Sequence, residues 1–176
     1  PDDAYGKVNP PLRSESVRRK LFSCWEMIDV IGSDHAPHTR EEKDQEFINA
    51  PSGIPGVETM IPLLMALAKE KKIGITDIIT KTSTAPSDIL GIRRAGFLKG
   101  DRADFAIYPD ELTVVLTDNL HSNAGWSPYE GMKAVFPVQT ILGGEVVFDN
   151  GEFFRPEFTD NTSGTGLWIP GRGYSL

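Results

Sequence analysis

The sequence predicts an α/β chain, with strands and helices alternating in its first half and short strands dominating its second. Three observations predict it. A short apolar run, "MIDVIGSD", ends in a polar tip at Asp34 between two stretches of helical periodicity. Beyond residue 95 the text breaks into short β-type runs separated by Gly143-Gly144 and Asn150-Gly151, dipeptides suited to tight hairpins. Glycine and proline number 17 and 13 among 176 residues, which argues against a helical bundle.

Taken in order, residues 4–8 (AYGKV) read as the end of a strand, stopped by Asn9-Pro10-Pro11 because proline disfavours helix at and before its own position. "SESVRRKLFSCWEMI" reads as a helix: Ser14 or Ser16 can cap it, and Val17, Leu21, Trp25 and Ile28 form an apolar stripe. The run to Asp34 then suits a strand buried on both faces. A loop rich in glycine, proline and charge covers residues 35–56. "GVETMIPLLMALAKEKK" is the strongest helical pattern, with its lysines gathered in the last turn. Helical segments follow near 75–81 and 85–90, ending before Gly91. The strand–helix alternation suits a parallel sheet or a (βα)8 barrel, of which only about a quarter fits before residue 95. The expected division is therefore 1–94 as the last βα units of a barrel and 95–176 as a β-rich module with a tail.

A hydrophobic content of 39% allows a substantial core in one domain or a domain and a half. The net charge of -7 and pI near 5.0 disfavour nucleic acid and anionic membranes as partners. A single cysteine, Cys24, precludes an internal disulfide framework, fits a reducing compartment, and is expected to pack in its helix. No apolar run approaches the ~20 residues that span a bilayer, and no signal-peptide pattern is seen, so a cytoplasmic location is expected. Because the text opens on Pro1 close to a dense motif, we read it as a piece of a longer protein; methionine removal before proline is the alternative.

Chemistry concentrates in "VIGSDHAPHTREEKD". At a strand tip, the Asp34 carboxylate can bind a metal or act as a general base; capping nearby backbone amides is an equally weighted reading. His35 and His38 are three residues apart on a loop broken by Pro37, so they do not form a helical zinc pair. A zinc site needs three or four ligands, and the third histidine, His121, lies far along the chain. "NAPSGIPGVET" is either an anion-binding turn leading into a helix or an ordinary capping loop. Asn9 and Arg13 can hold a carboxylate or amide, or serve as turn and surface residues.

Together, "KVNPPLRS", "IGSDHAPHT", the following "EEK" and "APSGIPGVETMIPLL" resemble dihydroorotases, members of the amidohydrolase superfamily of metal-dependent (βα)8-barrel hydrolases. The resemblance is detailed from Lys7 to Leu64. It continues more loosely through "TSTAPSDILGI", "GFLKGDRADFAIYPD" and "SPYEGMKAVFPVQTILGGEVVF". It implies the C-terminal part of the barrel followed by part of a small β-sandwich, built with N-terminal strands. The implied activity is reversible hydrolysis of dihydroorotate to N-carbamoyl-aspartate in pyrimidine synthesis, with one or two Zn2+ activating the attacking water. Carried over by motif, Asp34 is the barrel-end metal ligand and proton carrier, and His38 and Asn9 contact the substrate. Ser52 and Gly53 contribute backbone contacts, although some members carry an aromatic residue at the position of Ser52. No role for His35 follows from the resemblance.

The family's HxH pair, bridging modified lysine and two further histidine ligands have no counterpart in this text. The chain alone is therefore expected to bind zinc weakly or not at all, to lack activity, and to leave strand edges uncovered. The implied partners are the small-molecule substrate, the N-terminal remainder of the same protein, and a second copy in a homo-oligomer. Hydantoinases, dihydropyrimidinases and allantoinases are the nearest alternatives, but they generally lack the equivalents of His38 and Asn9. A further alternative is a non-catalytic, dihydroorotase-like assembly partner, for example of a carbamoyltransferase.

Overall fold

The computed structural model describes residues 3–154; the tail of the expected 95–176 module beyond Phe154 lies outside them. Helices come first: α1 Glu15–Ser23, α2 Arg40–Lys43, α3 Val57–Lys69, α4 Ile75–Ile79 and α5 Ala85–Leu90. Strands follow: β1 Phe105–Ile107, β2 Thr113–Val114, β3 Lys133–Ala134, β4 Gln139–Leu142, β5 Glu145–Asp149 and β6 Glu152–Phe153.

Among the described residues both sheets are antiparallel, a four-stranded one in the order β1-β4-β5-β6 and the pair β2-β3. The two expected hairpin turns are present. Gly143, Gly144, Asn150 and Gly151 all have positive φ, the requirement of two-residue turns whose twist matches the strands. A register shift between Thr140 and Ile141 leaves Val147 of β5 as the extra residue of a bulge in this sheet.

Two expected strands are absent. Residues 4–8 begin with a 3-10 turn, Ala4–Gly6, because the Asp3 carboxylate accepts from the Tyr5 amide and caps it. Residues 28–34 run extended but join no ladder, since no strand flanks them among the described residues. The Ile31 amide instead donates to the Lys81 carbonyl, and His35 forms an isolated parallel bridge with Ile54. A strand exists through its neighbours, and an apolar run alone does not supply them.

Helix α1 ends earlier than its periodicity suggests. It stops at Ser23, with a 3-10 turn at Trp25–Met27, and Cys24 is the half-buried residue that closes it. Ser14 occupies the N-cap without a side-chain bond to the helix backbone; its hydroxyl meets that of Ser16 in the first turn instead. No residue of α1 is buried. The segments 75–79 and 85–90 are joined by a π turn, Thr80–Thr84, which turns Lys81 inward. Its ammonium reaches the Ile28 carbonyl and lies 5.5 Å from the centre of the Trp25 ring. Gly91, at φ 66°, closes α5 in the left-handed conformation that glycine adopts without strain.

Helix α3 ties the helical and β-rich parts together. Pro62 sits inside it, and the Pro62 carbonyl accepts from the Val135 amide at 3.0 Å. Glu70 at its C-cap pairs with Lys133 of β3 at 2.7 Å, which with Lys72 holds this carboxyl down at about 2. Near its start, Glu58 pairs with His121 at 2.6 Å and accepts from the His121 amide. Val115, Ala134 and Val135, all fully buried, form the core beneath α3. No described helix is long and apolar enough to cross a membrane.

Candidate active-site wall

Asp34 stands at the end of the extended run, exposed, with φ 44°. A non-glycine residue in this region is uncommon, and aspartate tolerates it better than most. The turn ends the run and carries the chain directly into His35.

His35 has a position that its place in the text did not reveal. Its Nδ1 accepts from the amides of Gly56 and Val57, at 3.0 and 3.3 Å. Gly56 is the N-cap of α3 and has no side chain to do this itself, so His35 caps the helix from 21 residues away. Acceptance at Nδ1 fixes the neutral tautomer with its proton on Nε2.

His38 is half-buried, with Nδ1 3.5 Å from the Glu42 carboxylate. Glu42 also closes a capping box with Thr39 at the start of α2. The bond it accepts from the Thr39 amide, chiefly, and the neighbouring His38 hold its carboxyl below the usual range. The His38 carbonyl accepts from the indole N–H of Trp126 at 2.8 Å.

Gly53 is where these pieces meet. Its φ is 146°, and a Cβ built there would lie 2.4 Å from the Ala36 Cβ and 3.1 Å from the His38 ring. Its amide donates to the Lys7 carbonyl at 2.9 Å. Only glycine allows the loop to press against residues 36–38 and against the segment leading to Asn9. Ser52, beside it, is exposed, as is Asn9, whose peptide bond to Pro10 is cis. The structure thus brings Gly53 against His38 and bonds it to the stretch before Asn9; Asp34 lies on the same run of chain, four residues before His38.

Two lysines hold this loop. Lys7 donates to the carbonyls of Phe47, Ile48 and Ala50, at 2.7, 3.2 and 2.6 Å. Lys43, fully buried, donates to those of Pro51, Gly53 and Lys7, at 3.0, 3.1 and 3.4 Å. Burial, and then the charge of Lys7, lower the Lys43 pKa. Neither lysine role is evident in the text, where both read as ordinary charged residues; the "EEK" of the motif is the one pointer to Lys43.

This surface is a wall and not a cavity. Two large concavities lie beside it, one of about 820 Å3 against Tyr5, Arg40 and Trp126, the other of about 1120 Å3 between α3 and the strands. None of Asn9, Asp34, His38, Ser52 or Gly53 lines either. No group of three His, Cys, Asp or Glu side chains that could hold a metal occurs among the described residues. Asp34 by itself does not make a zinc site.

No protein-family model matches the chain. It is 42% identical over 149 residues to a dihydroorotase of Halobacterium salinarum, covering 82% of this chain and 35% of that protein. To a dihydroorotase of Thermoplasma volcanium it is 45% identical over 157 residues, covering 86% of this chain and 37% of the relative. By sequence, the chain belongs to the dihydroorotase family. It spans about a third of the length of the curated relatives it matches. Among solved structures, the L-hydantoinase (dihydropyrimidinase) of Arthrobacter aurescens superposes with a TM-score of 0.78 at 28% identity, over 86% of this chain and 36% of that one. The α/β fold is therefore one shared with this hydrolase, and the dihydroorotase likeness is the stronger in sequence.

Proposed function

We propose that this chain forms one wall of a dihydroorotase active site, in a protein that hydrolyses the cyclic amide of dihydroorotate to N-carbamoyl-aspartate and closes it again. In this reading, residues 1–94 are the last βα units of a (βα)8 barrel and 95–176 the β-rich module and tail. The preceding part of the same protein supplies the strands that flank residues 28–34, and the protein acts in the cytoplasm. Asp34 would hold zinc together with ligands from outside the described residues, and the metal would supply an activated water.

The observation that carries the reading is the meeting at Gly53, which packs on His38 and bonds to the stretch before Asn9. Asn9 donates its side-chain amide to the substrate's carboxylate or ring, and His38 binds the same end of the molecule. The backbone at Ser52 and Gly53 completes the contact in this reading: Ser52 is the exposed one of the two, while Gly53 is buried and pins the loop through its bonds to Lys7 and Lys43. Asp34 takes and returns the proton that moves between water and the ring nitrogen, since an exposed carboxylate at the end of this extended run is free to do so.

A specific observation also favours a second reading: the fold is shared with an L-hydantoinase, and hydantoin and dihydrouracil are cyclic amides without the carboxylate. The test is substrate profiling of the protein that joins this chain to its barrel. Dihydroorotate is expected to be the best substrate, and Asp34→Asn is expected to lower turnover about 10^3-fold. Faster hydrolysis of hydantoin, or normal turnover by Asp34→Asn, would sink the proposal.

A further inference from the structure

We propose that Lys43 and Trp126 are positioning residues for substrate binding, setting the geometry of the Asn9, His38 and Ser52-Gly53 contacts without touching the substrate. The inference rests on the dihydroorotase reading of this wall.

Lys43 is a fully buried cation whose described partners include no carboxylate. An ammonium has three N–H donors, and here each meets a backbone carbonyl, of Lys7, Pro51 and Gly53. Those carbonyls belong to the two loops that carry Asn9 and Ser52-Gly53. Lys43 itself ends α2, the helix that begins two residues after His38. One buried charge thus joins all three substrate-side segments. Asp3 is the one carboxylate whose charge offsets that of Lys43, and it makes no bond to it. Burying a charge with so little compensation is costly, and an apolar side chain would fill the same space without that cost. What the apolar side chain cannot do is fix three carbonyls at once.

Trp126 completes the arrangement from the strand-rich part. Its ring covers the Lys43 ammonium at 5.7 Å, a cation–π distance, and its N–H holds the His38 carbonyl. It is nearly fully buried and packs edge-on against Tyr5 at 4.8 Å. A single side chain from beyond residue 120 therefore sets both the lysine and the backbone of the histidine.

The experiment uses the protein that joins this chain to its barrel, with Lys43→Met and Trp126→Phe compared to wild type. Steady-state kinetics are run on the cyclic amide that wild type turns over best. Zinc content and exchange of the Gly53 amide are measured alongside. Lys43→Met is expected to raise KM about tenfold or more, leave kcat within about threefold and zinc unchanged, and speed Gly53 exchange. Trp126→Phe keeps an aromatic face but loses the N–H and the smaller ring of the indole, so a smaller rise in KM, about threefold, is expected. A merely structural lysine would lower the melting temperature without moving KM or Gly53 exchange, and that result overturns the inference. If Lys43→Met does not fold, an unchanged KM in Trp126→Phe overturns it as well. A wild-type preference for hydantoin refutes the dihydroorotate assignment instead, while the KM ratio on hydantoin still decides the roles of Lys43 and Trp126.

Discussion

Around Lys43, carbonyls from separate stretches of chain find their donors inside the molecule, whereas along α1 the apolar residues Val17 and Leu21 stay largely exposed among the described residues. Leu21 is 61% exposed and Val17 48%, although their spacing marks them as one face of a helix. The loops that bind in our reading hold their shape with this chain's own residues. The helix, by contrast, presents a face that another surface has to cover, and in our reading that surface is the rest of the barrel. Local polar closure and global apolar closure are thus separable in this molecule.

Three substitutions sharpen or break that contrast. The largest effect is expected at Gly53, where alanine meets both the strained φ and a clash with Ala36. Gly53→Ala should destabilise by about 3 kcal/mol, read as a lower denaturant midpoint; a change below about 1 kcal/mol would mean that the loop is not pinned. Next, His35→Ala removes the acceptor for two amides at the start of α3 and should cost about 1 kcal/mol. His35→Gln, which keeps a side-chain oxygen able to accept from the same two amides, checks the assignment: its cost should be smaller than that of alanine. The smallest effect is expected on the uncovered face. Leu21→Gln should change the stability of this chain by less than about 0.5 kcal/mol, and a loss of 2 kcal/mol would show that α1 is covered after all.

What the sequence made legible was local or dense. The glycine-containing dipeptides announced both hairpins because positive φ is a property of single residues. Helix α3 was legible from its apolar density, and the ordered motifs around Asp34 and Pro51 made the family legible. What stayed hidden depends on residues far apart. The run 28–34 looked like a buried strand because sequence shows the apolar side chains but not whether a partner strand exists. His35 appeared to lack a role because its two donors are 21 and 22 residues away. Lys43 drew no reading of its own because nothing in its neighbourhood announces that it is buried beneath Trp126. The arrangement of Asn9, Asp34, His38, Ser52 and Gly53 around a substrate came from the resemblance; the distances from Gly53 bear only on its contacts with Ala36, His38 and Lys7.

The bond from Trp126 to the His38 carbonyl also has a consequence in time. The two residues are 88 positions apart, so a ribosome adding about 5–20 residues per second leaves an interval on the order of ten seconds between them. Throughout that interval the His38 carbonyl lacks its indole donor, and Lys43 lacks its aromatic cover. The final geometry of the wall is therefore a late product of synthesis, set only after the chain has emerged well past the last helix.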